Sequence, residues 1–394
     1  MSPTVTGIEC IEFTYPIENM EKPLDSFYPG YSPDSSYERT VLAVRIQTDA
    51  DIDGTFVSLN SPPGPALAQI DSIAPYLVGK NPLEREKHWN QFRLILRKYD
   101  RMGIGPIDIA LWDIAGKFHD APIHQLLGTY RTEIPTYAST AFGDDNGGLD
   151  SPAAYADFAE ECLDAGFPAF KLHGWRAKAS SLDVEREVDL IHAVGDRVGD
   201  EMDLMYDPVG QLETFGDVLK VGKACDEQGF LWLEDPGRDF GTSQHGSKTL
   251  KNQIETPLLQ TEHVRGLEPH TDFAVNEATT FLRTDPEYDA GITGAMKISR
   301  VAEGLGLDVE YHICGPAQRH CIAAVRNTNY YELGLAHPNH SVTHDPPVYK
   351  GEYGDGIDAV DDHGYVTVPN GPGLGVTYDW EYISDKSTRK RSYE

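Results

Sequence analysis

Basic residues are scarce in this sequence. Only 33 Lys and Arg residues stand against 63 Asp and Glu residues, which gives a formal charge of −30. Such a charge repels nucleic-acid phosphates and anionic membrane surfaces, so we expect neither as a partner. The acidic excess is compatible with an ordinary soluble protein, but we favour a hydrated surface adapted to high salt. Equal activity and melting temperature in low and multimolar KCl would contradict that hypothesis.

Cysteine pairs and long apolar runs are also missing. Five cysteines are scattered without a C-x-x-C pair, so neither a disulfide framework nor a zinc knuckle is indicated. No basic-then-apolar signal opens the sequence, and no apolar run approaches the length of a membrane span. We expect reduced thiols and a cytoplasmic location.

The 394 residues, of which 40% are apolar, are enough for a large core in more than one domain. Residues 1–130 begin with strand-like patterns at 5–13 and 40–48, and helical periodicity follows at 107–117. Between the two strands, residues 16–36 are rich in Pro, Gly and Ser and predict a long loop. Long loops are uncommon unless they are disordered or cover a site, which favours a lid.

From residue 134 a unit repeats: a short apolar strand, a polar residue at its end, a loop and an amphipathic helix. Intervals of 27, 28, 23, 27 and 20 residues separate the last six strand ends, which suits parallel crossovers and not hairpins. We predict an α/β fold with a closed barrel at residues 131–365, and a segment at 366–394 that returns to the N-terminal part. The eight predicted strand ends are Tyr137, Lys171, Asp207, Glu234, Glu262, Asp285, His312 and Glu332.

Three consecutive strand ends carry carboxylates, namely Asp207, Glu234 and Glu262. The carboxyl ends of barrel strands face one cup, and oxygen ligands of this kind suit Mg²⁺. Capping of the following helices is the alternative role for these acids, although caps favour Asp over Glu.

Two further pairs flank these acids. Lys171 and His173 share one face of their strand end, where a cation and an imidazole beside a carboxylate suit acid/base chemistry. Asp285 precedes His312 by one unit, and an Asp that accepts from one imidazole nitrogen makes the other nitrogen more basic. A histidine that is merely hydrogen-bonded at a strand end is equally compatible with this second pair. Glu332 is either a helix cap or, when protonated, a donor to a substrate carboxylate.

Together these residues resemble the mandelate racemase subgroup of the enolase superfamily. The resemblance covers about residues 1–375 and includes the 107–117 helix, the Lys-x-His strand end, the three acids and the Gly291-Ile-Thr293 turn. It implies a modified TIM barrel, (β/α)₇β, with an N-terminal α+β capping domain whose loops cover the site. It also implies Mg²⁺ at the three acids, a His312–Asp285 catalytic dyad and an enediolate intermediate.

Two positions depart from the usual subgroup pattern. Lys171-x-His173 replaces Lys-x-Lys, and Asp207 is followed by Pro-Val-Gly instead of Ala-Asn-Gly. Trp175 and Arg176, which follow His173, are candidates for shaping the pocket. Four C-terminal histidines lack metalloprotease spacing and are predicted to be surface or packing residues: His320, His337, His340 and His344.

We predict an acid-sugar dehydratase that acts on a small carboxylate and forms a homo-oligomer. His312 would take the α-proton, Lys171 and Glu332 would donate to the enediolate, and His173 would protonate the departing β-hydroxyl. A racemase or epimerase of an α-hydroxy acid is the main alternative. Two others are a non-catalytic barrel that binds metal and carboxylate, and a metal hydrolase with His263 and His173 as ligands.

Overall fold

The computed structural model describes residues 2–22, 29–175, 182–340 and 345–394. Part of the predicted 16–36 loop, together with Arg176 and His344, lies outside these ranges. Within the described ranges, no helix is both long and apolar enough to cross a membrane.

The N-terminal domain, called the cap below, is an antiparallel sheet backed by helices. Strand β1 pairs with β2, and β2 pairs with β3. The elements are β1 (Val5–Glu21), β2 (Gly30–Thr48), β3 (Gly54–Ser58), α1 (Pro63–Leu77), α2 (Arg85–Ile95), α3 (Ile104–Phe118) and α4 (Ile123–Leu127).

The loop predicted over residues 16–36 is wrong in its described part. Strand β1 continues to Glu21 and β2 begins at Gly30, so the two strands form a long hairpin. Residues 8–13 of β1 have a strand on each side, because a C-terminal strand pairs with them there. Pro16 is exposed and lies beyond this part, where β1 is an edge strand and tolerates proline. Every second residue from Phe13 to Ile17, namely Phe13, Tyr15 and Ile17, is buried, as expected for one face of a strand.

Seven β/α units and a final strand form the second domain. The elements are β4 (Glu133–Thr140), α5 (Pro152–Asp164), β5 (Ala169–Leu172), α6 (Val184–Val198), β6 (Asp203–Tyr206), α7 (Phe215–Gln228), β7 (Trp232–Glu234), α8 (Gln244–Lys251), β8 (Leu258–Gln260), α9 (Leu267–Val275), β9 (Phe281–Thr284), α10 (Gly291–Leu305), β10 (Asp308–Tyr311), α11 (Pro316–Ala323) and β11 (Tyr331–Ala336).

These eight strands are parallel and curl into a barrel. Pairing runs in order from β4 to β10, and β11 pairs with β4, so the ring of described strand pairs is open only between β10 and β11. Its interior is filled by side chains that point inward from successive strands: Tyr137, Ala169, Met205, Trp232 and Leu259. The (β/α)₇β fold class is therefore confirmed.

The C-terminal part connects both domains. It contains β12 (Tyr349–Lys350), a 3₁₀ turn (Ile357–Ala359), β13 (Tyr365–Thr367), β14 (Thr377–Tyr378), α12 (Trp380–Asp385) and β15 (Ser387–Tyr393). Strand β13 pairs with the barrel strand β4, whereas β15 adds a fourth strand to the cap sheet beside β1.

Helix α3 fixes the cap to the barrel because its polar side chains bind the start of α10. Asp108 accepts from the Thr293 backbone N–H at 2.9 Å and from the Thr293 hydroxyl at 2.8 Å. Trp112 Nε1 donates to the same hydroxyl at 2.9 Å. The Gly291-Ile-Thr293 segment, which begins α10, is thus a docking point between the domains.

Candidate active site

The three strand-end carboxylates converge. Asp207 directly follows β6, Glu234 ends β7 and Glu262 lies two residues beyond β8. One oxygen of each lies within 4.8 Å of the other two. Asp207 and Glu234 are buried, and Glu262 is largely so. Neighbouring parallel strands deliver the three side chains to one point, which we call the acidic triad.

The donor set of the acidic triad fits a hard divalent cation. Burial raises the pKa of Glu234, whereas the Lys171 cation overcomes the effect of burial and lowers the pKa of Asp207 to about 2. The charge of His312 likewise overcomes burial at Glu262 and lowers its pKa. Three carboxylates packed together repel one another, and a divalent ion would relieve this repulsion.

Strained backbone accompanies the strand ends. Val209, Thr261 and Ile313 have φ values of 51°, 97° and 55°, which are outliers for β-branched residues. Each lies within two residues of Asp207, Glu262 or His312. Such strain persists only where the surrounding structure enforces it, and it concentrates at functional sites.

On the β5 side of the acidic triad, Lys171 and His173 lie together and are buried. Lys171 Nζ lies 2.8 Å from Glu332, 3.0 Å from Glu234 and 3.5 Å from Asp207. The charges of Glu234 and Glu332 outweigh burial and raise the pKa of Lys171 well above its usual value. These carboxylates therefore favour the cationic form of Lys171.

His173 is hydrogen-bonded at both ring nitrogens. Nδ1 lies 2.6 Å from the Thr140 carbonyl oxygen, and Nε2 lies 3.2 Å from Asp207 Oδ2. A carbonyl oxygen accepts but does not donate, so Nδ1 carries hydrogen in this arrangement, and Nε2 faces the acidic triad.

On the β10 side, His312 Nδ1 lies 2.8 Å from Asp285 Oδ2, while Nε2 is 3.5 Å from Glu262 Oε1. Burial disfavours the charged imidazole, but the charge of Glu262 and the hydrogen bond to Asp285 raise the pKa of His312 to about 9. Asp285 therefore fixes the tautomer and makes Nε2 basic. A cation at Glu262 would oppose the contribution of that acid.

Glu332 lies among hydrogen-bond donors and two cations, and its predicted role as a donor to substrate stays a prediction. Its oxygens accept from Ser139 Oγ at 2.8 Å and from the Ile313 backbone N–H at 2.6 Å, and they also bind Lys171 and Arg283. The two cations outweigh burial and lower the pKa of Glu332 well below its usual value. Glu332 therefore contacts both cations behind the site.

Sequence reasoning missed Arg283. The Arg283 side chain is completely buried. Its Nε lies 2.8 Å from Glu234 Oε1, but the two are not aligned for a hydrogen bond. Its other guanidinium nitrogens contact Glu332 and the Tyr311 carbonyl oxygen. The signal was present: Arg283 stands two residues before Asp285, so both point to one side of the strand. A buried arginine needs acidic partners, which the neighbouring strand ends supply.

A cavity of about 400 Å³ opens above these groups, between cap and barrel. Its barrel wall includes Lys171, His173, Asp207, Glu262, His312 and Glu332, and its cap wall includes Tyr37, Arg39, Asn60 and Ser61. A larger groove of about 600 Å³ lies between the cap sheet and the C-terminal segment, but it contains none of the predicted site residues.

Comparison with known proteins identifies the family. A family model described as "Enolase C-terminal domain-like" matches residues 154–382, more than half of the chain. A second, "Mandelate racemase / muconate lactonizing enzyme, N-terminal domain", matches residues 31–128. The two matches correspond to the barrel and to most of the cap.

Similar proteins include enzymes of acid-sugar chemistry. A D-gluconate/D-galactonate dehydratase of Picrophilus torridus is 25% identical over 360 residues, 88% of each chain. A D-galactarolactone cycloisomerase of Agrobacterium fabrum is 26% identical over 362 residues, 88% of this chain and 91% of the relative. The crystal structure of D-glucarate dehydratase from Agrobacterium tumefaciens complexed with magnesium superposes with a TM-score of 0.84 at 25% identity, covering 98% of this chain and 99% of that one. The chain belongs to the enolase superfamily, in its mandelate racemase subgroup, and is an enzyme.

Proposed function

We propose that this enzyme is a Mg²⁺-dependent dehydratase of an acid sugar, an aldonate or an aldarate, and that its product is a 2-keto-3-deoxy acid. The names of the relatives support the substrate class, since two are dehydratases of sugar acids and one is a cycloisomerase of a sugar-acid lactone. The site supports the reaction, as follows.

The main support for this reaction is that two imidazoles with different hydrogen-bond partners flank the acidic triad. His173 contacts Asp207 at one end of the triad, and His312 approaches Glu262 at the other. Both nitrogens of His173 are engaged with acceptors, whereas Nε2 of His312 has only the longer approach to Glu262. We assign His173 as the group that gives a proton and His312 as the group that takes one, as elimination of water requires.

The reaction begins with transfer of the α-proton of the substrate carboxylate to His312 Nε2. The electron pair left behind forms the enediolate, whose charge is stabilised by the Lys171 cation. Cleavage of the bond between the β-carbon and its hydroxyl oxygen follows. That oxygen leaves with the bonding pair and takes a proton from His173, so water departs and the remaining enol tautomerises to the keto acid.

Asp207, Glu234 and Glu262 would hold the Mg²⁺. When bound, the ion supplies Lewis-acid stabilisation for the negative charge that develops on the substrate carboxylate. Glu332 and Arg283 keep the surrounding charges in place, because Glu332 binds Lys171 and Arg283 binds both Glu332 and Glu234.

A screen of acid sugars with a semicarbazide assay for 2-keto acids, in the presence of Mg²⁺, tests the proposal. We expect keto-acid formation from at least one aldonate or aldarate, loss of activity with EDTA and recovery with Mg²⁺. Activity that recovers only with Zn²⁺ would favour a metal hydrolase instead. Turnover by His312→Asn equal to that of the unaltered enzyme would exclude His312 as the base.

A racemase or epimerase is the second candidate, since the same observation of an imidazole on each side of the acidic triad also suits proton removal on one face and return on the other. Solvent deuterium in recovered substrate, with no keto acid formed by any acid sugar, would favour this reaction.

A further inference from the structure

A buried carboxylate outside the proposed chemistry, that of Glu287, joins the cap to the barrel. Glu287 lies in the loop between β9 and α10, two residues beyond Asp285, and is 1% exposed. Among the described residues, the hydrogen-bond partners of its side chain belong to residues 58–61, where β3 ends and the chain leads into α1. They are the Ser58 hydroxyl and the backbone N–H groups of Leu59 at 3.0 Å, Asn60 at 3.1 Å and Ser61 at 3.1 Å.

The 58–61 turn forms part of the wall of the active-site cavity. Leu59, Asn60 and Ser61 line it on the cap side, opposite the acidic triad. Convergent N–H groups of this kind form a concave site for an anion, which the barrel fills with its own carboxylate. The position of this cap wall is thus set by a barrel side chain.

The backbone of the same residue contacts the dyad. The Glu287 N–H donates to Asp285 Oδ1 at 2.7 Å, while the other oxygen of Asp285 accepts from His312. One face of Asp285 is therefore held by Glu287 and the other holds the proposed base.

The next residue completes the connection. The Tyr288 ring stacks on the His312 ring, with centroids 5.5 Å apart and planes at 24°. Its hydroxyl donates to the Asn60 carbonyl at 3.4 Å, so it contacts the same cap turn that Glu287 binds. A shift of the 58–61 turn would therefore reach His312 by two routes.

We propose that Glu287 is a positioning residue that couples the seating of the cap on the barrel to the orientation of His312. The inference rests on the proposed role of His312 as base. Since reaction rates respond steeply to small misplacement of reacting groups, a loosened turn would slow proton transfer and not only weaken binding.

The ring N–H proton that His312 shares with Asp285 gives a test that needs no substrate. Proton NMR of the protein, with this signal assigned by its absence in His312→Asn, would compare Glu287→Gln with Ser58→Ala. We expect the signal to shift or broaden in both variants, and to remain unchanged in the control Glu277→Gln, which alters an exposed ion pair with Lys248. An unchanged signal in the folded Glu287 and Ser58 variants would overturn the proposal, and Ser58→Ala decides alone if Glu287→Gln does not fold.

Steady-state kinetics provide a second test of the role of Glu287. We expect kcat for keto-acid formation to fall about tenfold to a hundredfold in Glu287→Gln, with a smaller change in KM. A lower melting temperature with unchanged kcat would show a purely structural role and overturn the proposal. If the unaltered enzyme turns over no acid sugar, the proposed function fails, and the NMR comparison still decides the role of Glu287.

Discussion

The two sides of the acidic triad hold similar groups in different ways. On the β5 side, His173 is bonded to a backbone carbonyl and to a proposed metal ligand, beside the Lys171 cation. On the β10 side, His312 is bonded to the Asp285 carboxylate, which is itself held by the Glu287 N–H. The same side chain therefore has two environments in one cavity.

This difference underlies the proposed assignment of His173 as the acid and His312 as the base. A carboxylate partner at Nδ1 raises the basicity of the opposite nitrogen, as at His312. His173 instead has a backbone carbonyl at Nδ1 and the proposed metal ligand Asp207 at Nε2. We propose that the role of each histidine depends on its partners, and the predictions below alter those partners or the histidines themselves.

Removal of the base should have the largest effect. His312→Asn keeps the shape and a donor toward Asp285 but cannot take a proton, so we expect keto-acid formation to fall about 10³- to 10⁴-fold. Steady-state kinetics with Mg²⁺ would measure it. His192→Asn, at an exposed pair with Glu227, is the matched control and should be unchanged.

Glu332→Gln should disturb the side chains on both sides of the acidic triad. Glu332 binds Lys171 near β5 and the Ile313 N–H beside His312, and it is 1% exposed. Loss of a buried charge leaves the Lys171 and Arg283 cations undercompensated, so we expect a destabilisation of about 3 kcal/mol. Urea unfolding would measure it against Glu303→Gln, a half-exposed acid of α10. Equal midpoints for the two variants would contradict the anchoring role.

His173→Asn should remove only the proposed general acid and leave the proposed base in place. We expect keto-acid formation to fall about 100-fold, less than in His312→Asn, because the β-hydroxyl must then leave without a positioned proton donor. The same assay measures it, and a weakly basic or pre-activated β-leaving group should restore part of the rate. No loss relative to the unaltered enzyme would remove His173 from the mechanism.

The dependence of stability on pH should be the smallest effect. The pKa of His312 is raised from 6.5 to about 9, so its contribution to stability is full below pH 6.5 and is lost as the pH rises through 9. In metal-free protein, the melting temperature of His312→Asn should approach that of the unaltered enzyme over this range. Scanning calorimetry at several pH values would show a constant difference if the pKa of His312 were normal.

Much of the fold was predictable because parallel β/α units repeat with a visible period. The eight strand ends from Tyr137 to Glu332 each fall in or within two residues of an observed barrel strand. The 16–36 region failed because Pro and Gly also occur in exposed parts of long hairpins, and composition does not distinguish the two. Adaptation to high salt remains a prediction.

The site was predictable where one strand end supplies one functional group. The partners of Glu332 were not, because the cations Lys171 and Arg283 reach it from other strands. Arg283 and Glu287 were missed for a related reason: their partners lie on distant segments, such as residues 58–61 for Glu287. Contacts of this range are set by tertiary packing.

The most direct test of the central claim is deuterium at the α-carbon of substrate recovered from reactions in D₂O with Mg²⁺, using His173→Asn and His312→Asn in parallel. If His312 is the base and His173 the acid, the His173 variant incorporates deuterium while it forms little keto acid, and the His312 variant incorporates none. Deuterium incorporation by His312→Asn at the rate of the unaltered enzyme would contradict the assignment of these two roles.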